Sequence, residues 1–366
     1  MDKVRFGVVG AKGIGRTHME SIVSCGNAEL VAVADINEAA GKEAASKYGV
    51  KWFMDYEKML EQKDIDAVSI CTPHFLHCNM ALKALEYSKN VLVEKPMAIT
   101  VREADKMVEK AKTTGLKLGV VFQYRTFPVN REIKRLIDGG EIGKIYRVVM
   151  EACTFRTQAY YESDAWRGKW KTEGGGALIN QTIHNIDLLQ WLVGPPSKLQ
   201  GQIGTMYHNV EVEDIASATI RFENGAFGIL QVSIVDALDT SRLEICGEKG
   251  KIESNGEHKR AIMSKPLKEC IADKKVWGGR PESQWLEIKP KTEEKGGHAT
   301  VIKEYCDAII AGKEPPVNGE EGRKSIEIIN AIILSSFEEK TVTFPVDRDA
   351  YDRLMRSLSE KEMRQK

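Results

Sequence analysis

The sequence predicts an α/β chain of two domains, a doubly wound parallel sheet followed by an α+β domain on an antiparallel or mixed sheet. Three observations predict it. Short apolar runs without two-residue alternation recur between amphipathic stretches as far as Phe122, a glycine-rich turn follows the first run, and after Phe122 the pattern changes to longer alternating segments. A chain of 366 residues is too long for one ordinary core and suits two. The change of texture divides it into 1–122 and 123–366.

The runs Val4–Val9, Leu30–Ala34, Ala67–Ile70, Asn90–Glu94 and Leu118–Phe122 read as strands buried on both faces, as in a parallel sheet. Between them Glu38–Tyr48, Phe75–Tyr87 and Val101–Thr113 carry helical periodicity, the third opened by a Thr100/Glu103 capping box. Strands alternating with helices at this spacing require right-handed crossovers and give the Rossmann class. In the second part Ile145–Phe155, Ala216–Phe222, Ala226–Val235 and Ser241–Ile245 alternate as strands with one exposed face. Helical patterns fall at Ala177–Leu192 and Gly322–Phe337, the latter followed by a charged tail expected to fray, while Ser254–Lys295 is polar and shows no pattern.

Composition narrows the function. Lysine plus arginine number 53 and so do aspartate plus glutamate, so no single-sign field exists to attract a nucleic acid. No apolar run approaches a membrane span, and the first residues lack the apolar core and cleavage site of a secretion signal. Seven scattered cysteines without a C-x-x-C spacing suit a reducing cytoplasm, with neither disulfides nor a metal site expected.

The turn Gly10-Ala11-Lys12-Gly13-Ile14-Gly15 lies between a strand and a helix, where backbone amides and a helix N-terminus meet a pyrophosphate. Asp35 ends the next strand, 20 residues after Gly15. A carboxylate there accepts hydrogen bonds from the adenine-ribose hydroxyls and repels a 2′-phosphate, and neither Ile36 nor Asn37 supplies an arginine for one, so NAD is expected over NADP. Lys12 stands where the second glycine of G-x-G-x-x-G belongs, and a cation beside the phosphates weakens that preference.

Further stretches follow in order: Thr72-Pro73 with His77; Val91 to Pro96, ending Glu94-Lys95-Pro96; Trp166-Arg167-Gly168; Gly174 to Asp187, containing Asn180, His184 and Asp187; and Glu321 to Ser325. Together with the glycine turn they resemble the glucose-fructose oxidoreductase, inositol dehydrogenase and rhizopine-catabolism (Gfo/Idh/MocA) family. The resemblance implies an NAD-dependent enzyme with a substrate pocket between its domains. It also implies a large open C-terminal sheet used for oligomer contacts, hence a homodimer or homotetramer. It places Thr72, Pro73, His77, Glu94 and Lys95 at the cofactor. Asn180 and Thr182 stand where many members carry aspartate and glycine.

Oxidising an alcohol removes a hydroxyl proton as hydride leaves the same carbon. That proton is held roughly 9 pKa units more tightly than an imidazole holds its own, about 12 kcal/mol, so a base needs help from a cation. Lys95, at a carboxyl-terminal strand end and before Pro96, is read as that cation, and His184 as the general base. Asn180, His184 and Asp187 at i, i+4 and i+7 would share one helix face, with Asp187 orienting the imidazole and Asn180 hydrogen bonding to substrate or histidine. Tyr124, Arg125, Trp166 and Arg167 are expected walls of the sugar pocket, either arginine alternatively pairing with a structural acid. The expected reaction is hydride transfer between NAD and a secondary hydroxyl of a sugar, cyclitol or nucleotide-sugar. An NAD-retaining glycosidase and a non-catalytic sensor of dinucleotide or sugar are the alternatives. The sensor has no need for a paired base and cation.

Overall fold

The computed structural model describes residues 2–275 and 277–364. Six parallel strands, β1 (Val4–Val9), β2 (Ala28–Ala34), β3 (Lys51–Phe53), β4 (Ala67–Ile70), β5 (Asn90–Val93) and β6 (Leu118–Val120), form a sheet in the order β3-β2-β1-β4-β5-β6. Every residue of β4 is buried, as expected for a run covered by helices on both faces. The order reverses between β1 and β4, and the crevice outside the strand ends at that point is where such sheets hold ligands.

The second sheet comprises β7 (Ile145–Phe155), β8 (Pro196–Gly204), β9 (Ile215–Phe222), β10 (Phe227–Ser233), β11 (Val235–Gly247), β12 (Gly250–Ser254), β13 (His258–Met263), β14 (Ser283–Glu287) and β15 (Val342–Thr343). Its order is β14-β13-β12-β11-β7-β10-β9-β8-β15, with β7 and β10 parallel and the other neighbours antiparallel. The fold is therefore the expected Rossmann sheet joined to an α+β domain on a large mixed sheet.

The capping box forms: Thr100 Oγ1 accepts the Glu103 N–H at 3.2 Å, and the Glu103 carboxylate accepts the Thr100 N–H at 3.1 Å. Such a cap contributes about 1 kcal/mol. Three expectations need correction. The expected helix Ala177–Leu192 is a π turn at Ala177–Gln181 followed by an α-helix at Ile183–Val193, broken at Thr182. The polar stretch Ser254–Lys295 contains β13 and the edge strand β14, whose exposed residues leave no apolar alternation to read. The tail does not fray over the described residues, since helix Arg348–Arg364 buries Tyr351, Met355 and Leu358 on one face.

Helix His298–Ile310, unforeseen in the sequence, returns to the first domain. Tyr305 is buried there 6.2 Å from the Phe6 ring and donates its hydroxyl to the Lys117 carbonyl at 3.0 Å. This return brings His298 to the crevice.

Candidate active site

A cavity of about 730 Å³ runs from Asp35, Ile36 and Asn37 along the glycine turn to Trp166 and Arg167. Its size is that of a ligand cleft. The turn needs its glycines: Gly10 has φ +97°, and a Cβ on Gly15 would stand 1.9 Å from the Gly10 carbonyl oxygen. A Cβ on Gly13 would meet nothing within 4 Å, since Gly13 faces the cavity. No side chain caps the helix Ile14–Ser24 that follows. Open backbone at an uncapped helix N-terminus fits a pyrophosphate, so the donor set and the shape of the turn suit a dinucleotide. Lys12 and Ile14 line the same wall, while Gly15 is buried behind it.

Asp35 accepts the N–H of Ala11 and of Asn37, each at 2.7 Å, which fixes its carboxylate between turn and cavity. Thr72 and Pro73 line the cavity beside it. His77 borders the cavity but is 1% exposed, and its ring nitrogens lie 2.7 Å from the Pro96 and the Thr72 carbonyl oxygens. It was expected at the cofactor; instead it lies between the Thr72 and Pro96 loops, with both ring nitrogens against their carbonyls and neither turned to the cavity.

Beyond β5, Glu94 is buried with Oε1 2.7 Å from His18 Nε2 and 3.4 Å from His298 Nε2, while Oε2 accepts the Lys95 N–H at 3.1 Å. Burial alone would raise this acid, but the two imidazoles hold it well below the usual carboxylate range. The three side chains bring potential metal-ligating atoms within 4.8 Å of one another. His18, however, spends its second nitrogen on Ser69 Oγ at 2.6 Å, so it serves here as a hydrogen-bonding clamp on Glu94.

Lys95 lines the cavity and donates to the Asn180 carbonyl at 2.9 Å. An ammonium has three donors, so two remain for a ligand. Burial, opposed by Glu94, lowers the lysine from its ordinary value. His184 does not line the cavity itself. It is buried with its ring stacked 4.6 Å from Tyr124 and set edge-to-face with Phe122. Burial first and the Lys95 charge second push its pKa down to about 3, which sets the two groups in one electrostatic neighbourhood.

At the far end Arg167 lies 4.4 Å over the Tyr160 ring and 4.5 Å over Trp166. The Tyr160 hydroxyl accepts from Arg167, from Asn180 Nδ2 at 3.0 Å and from Gln181 Nε2 at 2.7 Å. Asn180 Nδ2 also donates to Glu173, so its amide is held in place by protein groups.

Residues 4–122 match the model for the oxidoreductase family with an NAD-binding Rossmann fold, and residues 130–253 match a Gfo/Idh/MocA C-terminal domain. The chain belongs to the Gfo/Idh/MocA family. Among its relatives in that family, scyllo-inositol 2-dehydrogenase (NAD(+)) of Bacillus subtilis is 32% identical over 68% of this chain and 73% of its own length. Myo-inositol 2-dehydrogenase of Thermotoga maritima is 26% identical over 92% of this chain and 97% of its own length. The crystal structure of the WlbA dehydrogenase of Bordetella pertussis, in complex with NADH and UDP-GlcNAcA, superposes with a TM-score of 0.81 at 30% identity. That match covers 94% of this chain and all of the other. As a Gfo/Idh/MocA member the protein is an NAD-binding oxidoreductase. No described helix is long and apolar enough to cross a membrane.

Three further expected site residues are placed elsewhere. Asp187 is fully buried but does not bond His184. Its oxygens accept from Arg125 Nε and Nη2 at 2.7 Å each, from Gln190 at 3.2 Å and from Ser325 at 3.1 Å. His184 Nδ1 meanwhile has no partner among the described residues. Arg125 accordingly is no sugar-pocket wall: it is 6% exposed and tied to Asp187 and to Glu321, the latter at 3.0 Å. Tyr124 also lies off the cavity, as the stacking partner of His184.

Gln123, His18 and His298 were not foreseen. A polar residue ending the β6 run was a faint signal for Gln123, whereas the histidines come to Glu94 from 76 and 204 residues away in sequence, a separation that no local pattern reports.

Proposed function

We propose that the protein is a cytoplasmic NAD-dependent dehydrogenase acting on a secondary hydroxyl of a sugar, cyclitol or nucleotide-sugar, with Lys95 and His184 as its catalytic pair. The observation that carries this reading is Lys95, which lines the crevice whose opposite end holds the glycine turn and Asp35, with His184 buried behind it near enough for the lysine charge to act on the imidazole. When bound, NAD supplies the hydride acceptor for the carbinol carbon. The remaining donors of Lys95 orient the hydroxyl and stabilise its developing negative charge, and His184 is the proton acceptor; pushed down to about 3, it is a weaker base than an ordinary imidazole, so more of the barrier falls to Lys95. Asn180 locates Lys95 through its carbonyl.

The charges of Arg156 and Arg167 both act on Lys95, and Arg167 lines the cavity 3.7 Å from Asp164, so the substrate end presents a guanidinium only partly balanced by an exposed acid. Such a lining favours an anionic sugar, and the WlbA relative was crystallised with a nucleotide-linked one. Incubating the protein with NAD and a panel of inositols, free sugars and UDP-sugars, while following NADH absorbance, is expected to give turnover, first with an anionic or UDP-linked member. Silence across the panel, with cleavage of a chromogenic glycoside and no net NADH, would replace the dehydrogenase by a glycosidase.

Asp35→Ala is expected to weaken NAD by roughly 10- to 100-fold, the value of a charge-assisted hydrogen bond, and NADP much less, because the repulsion of a 2′-phosphate goes with the carboxylate. Calorimetric affinities for both cofactors measure the difference. Equal losses would mean that Asp35 serves only to hold Ala11 and Asn37.

A further inference from the structure

Two buried polar atoms of residues that line the same cavity as Lys95 have no hydrogen-bond partner among the described residues: Oε1 of Gln123 and Nε2 of His298. Both residues line the cavity, together with Glu94, Lys95 and Asn180. An unmade hydrogen bond on a buried polar group is costly, and native proteins keep few such groups without a use for them. The two atoms are complementary in kind. The amide oxygen accepts, and the imidazole nitrogen, which lies 3.4 Å from a Glu94 carboxylate oxygen without the alignment of a hydrogen bond to it, donates in the tautomer that protonates it.

Their segments are held as one wall. Thr126 Oγ1 donates to the Gln123 carbonyl at 2.7 Å and accepts the Gly297 N–H at 2.7 Å, which binds the turn after β6 to the start of helix His298–Ile310. This wall stands at the ends of β5 and β6, beside the catalytic lysine, and away from Asp35 at the end of β2. A dinucleotide whose adenine ribose sat at Asp35 and whose ring sat at Lys95, as the proposed function requires, would turn that ring toward this wall. The group that satisfies both atoms at once is a primary carboxamide, whose NH₂ donates to an amide oxygen while its C=O accepts from an imidazole N–H.

We infer that Gln123 and His298 together receive the carboxamide of the nicotinamide ring, and so fix which face of the ring meets the substrate. Glu94, anionic beside them, disfavours a carboxylate in the same place. The inference rests on NAD binding and is independent of the substrate.

The test compares calorimetric affinities for NAD, for its 3-acetylpyridine analogue, for the nicotinic-acid analogue and for ADP-ribose. The acetylpyridine analogue keeps the carbonyl and lacks the N–H, the nicotinic-acid analogue carries a carboxylate, and ADP-ribose has no ring. The wild-type protein is expected to bind the acetylpyridine analogue roughly five- to tenfold more weakly than NAD, the worth of one hydrogen bond, and the nicotinic-acid analogue more weakly still. Gln123→Ala should bring NAD down to the acetylpyridine level, abolishing the discrimination, with ADP-ribose unchanged within about twofold. His298→Ala should weaken NAD and the acetylpyridine analogue alike, since both keep the carbonyl, and His298→Gln, which returns a donor, should recover part of the loss. Equal wild-type affinities for NAD and the acetylpyridine analogue, or an unchanged ratio in Gln123→Ala, overturn the inference. If a variant loses ADP-ribose its pocket has collapsed, and the wild-type ratio decides alone. A wild-type protein that fails to bind ADP-ribose would instead refute the dinucleotide site.

Discussion

Lys95→Met is expected to lower kcat by roughly 10³-fold while NAD binding stays within a few fold. An ammonium about 4 Å from a developing oxyanion contributes on the order of 4 kcal/mol at a surface-like dielectric, and about 1.4 kcal/mol corresponds to tenfold in rate. His184→Ala should cost roughly 10²- to 10⁴-fold, the span of a general base. The pH profile separates these roles from structural ones. With the imidazole held down at about 3, burial first and Lys95 second, wild-type kcat/KM should show no acid limb from His184 between pH 5 and 8. Lys95 is lowered by burial, so activity should fall as pH rises through a lysine value below the ordinary ~10.4, and Lys95→Arg should move that limb to higher pH. Full turnover in either truncation would remove this pair from the mechanism, and an acid limb near pH 6.5 that His184→Ala abolishes would show the imidazole titrating near its ordinary value.

The parts of this site that a linear reading finds are those whose chemistry is written locally. The strand, glycine turn and helix at Val4–Ser24, the carboxylate at Asp35 and the lysine after β5 all lie within βαβ units, where strand ends define the crevice before any tertiary contact is known. Strand β3 was missed because three half-exposed residues carry no period. Helix His298–Ile310 was missed because its apolar face packs on a sheet almost three hundred residues earlier, and His298 came with it. The stretch from Asn180 to Asp187 shows a different limit. Spacing placed three side chains on one helical face, but the break at Thr182 rotates Asn180 out of that register, and proximity at i+3 could not reveal that Arg125 would claim Asp187.

That claim sets the largest stability effect expected. Asp187 is fully buried and neutralises an arginine that is itself buried, so Asp187→Ala leaves a cation in the core with only Glu321 to compensate. Removing one partner of a buried pair typically costs about 3–5 kcal/mol, and the retained Glu321 contact at 3.0 Å points to the lower end of that range. The cation makes the cost, so Arg125→Met combined with Asp187→Leu should be more stable than Asp187→Ala alone, since apolar groups of similar volume need no compensation. Urea unfolding of the three proteins measures the order. Asp187→Asn discriminates the structural from the catalytic reading. It loses the charge and keeps the shape, so it should unfold at lower urea yet retain in native buffer the KM and pH profile of the wild type, because no bond from Asp187 reaches His184. Should the asparagine variant instead keep wild-type stability and lose kcat, with a shifted pH profile, Asp187 would have to be reinstated as the group that orients the imidazole.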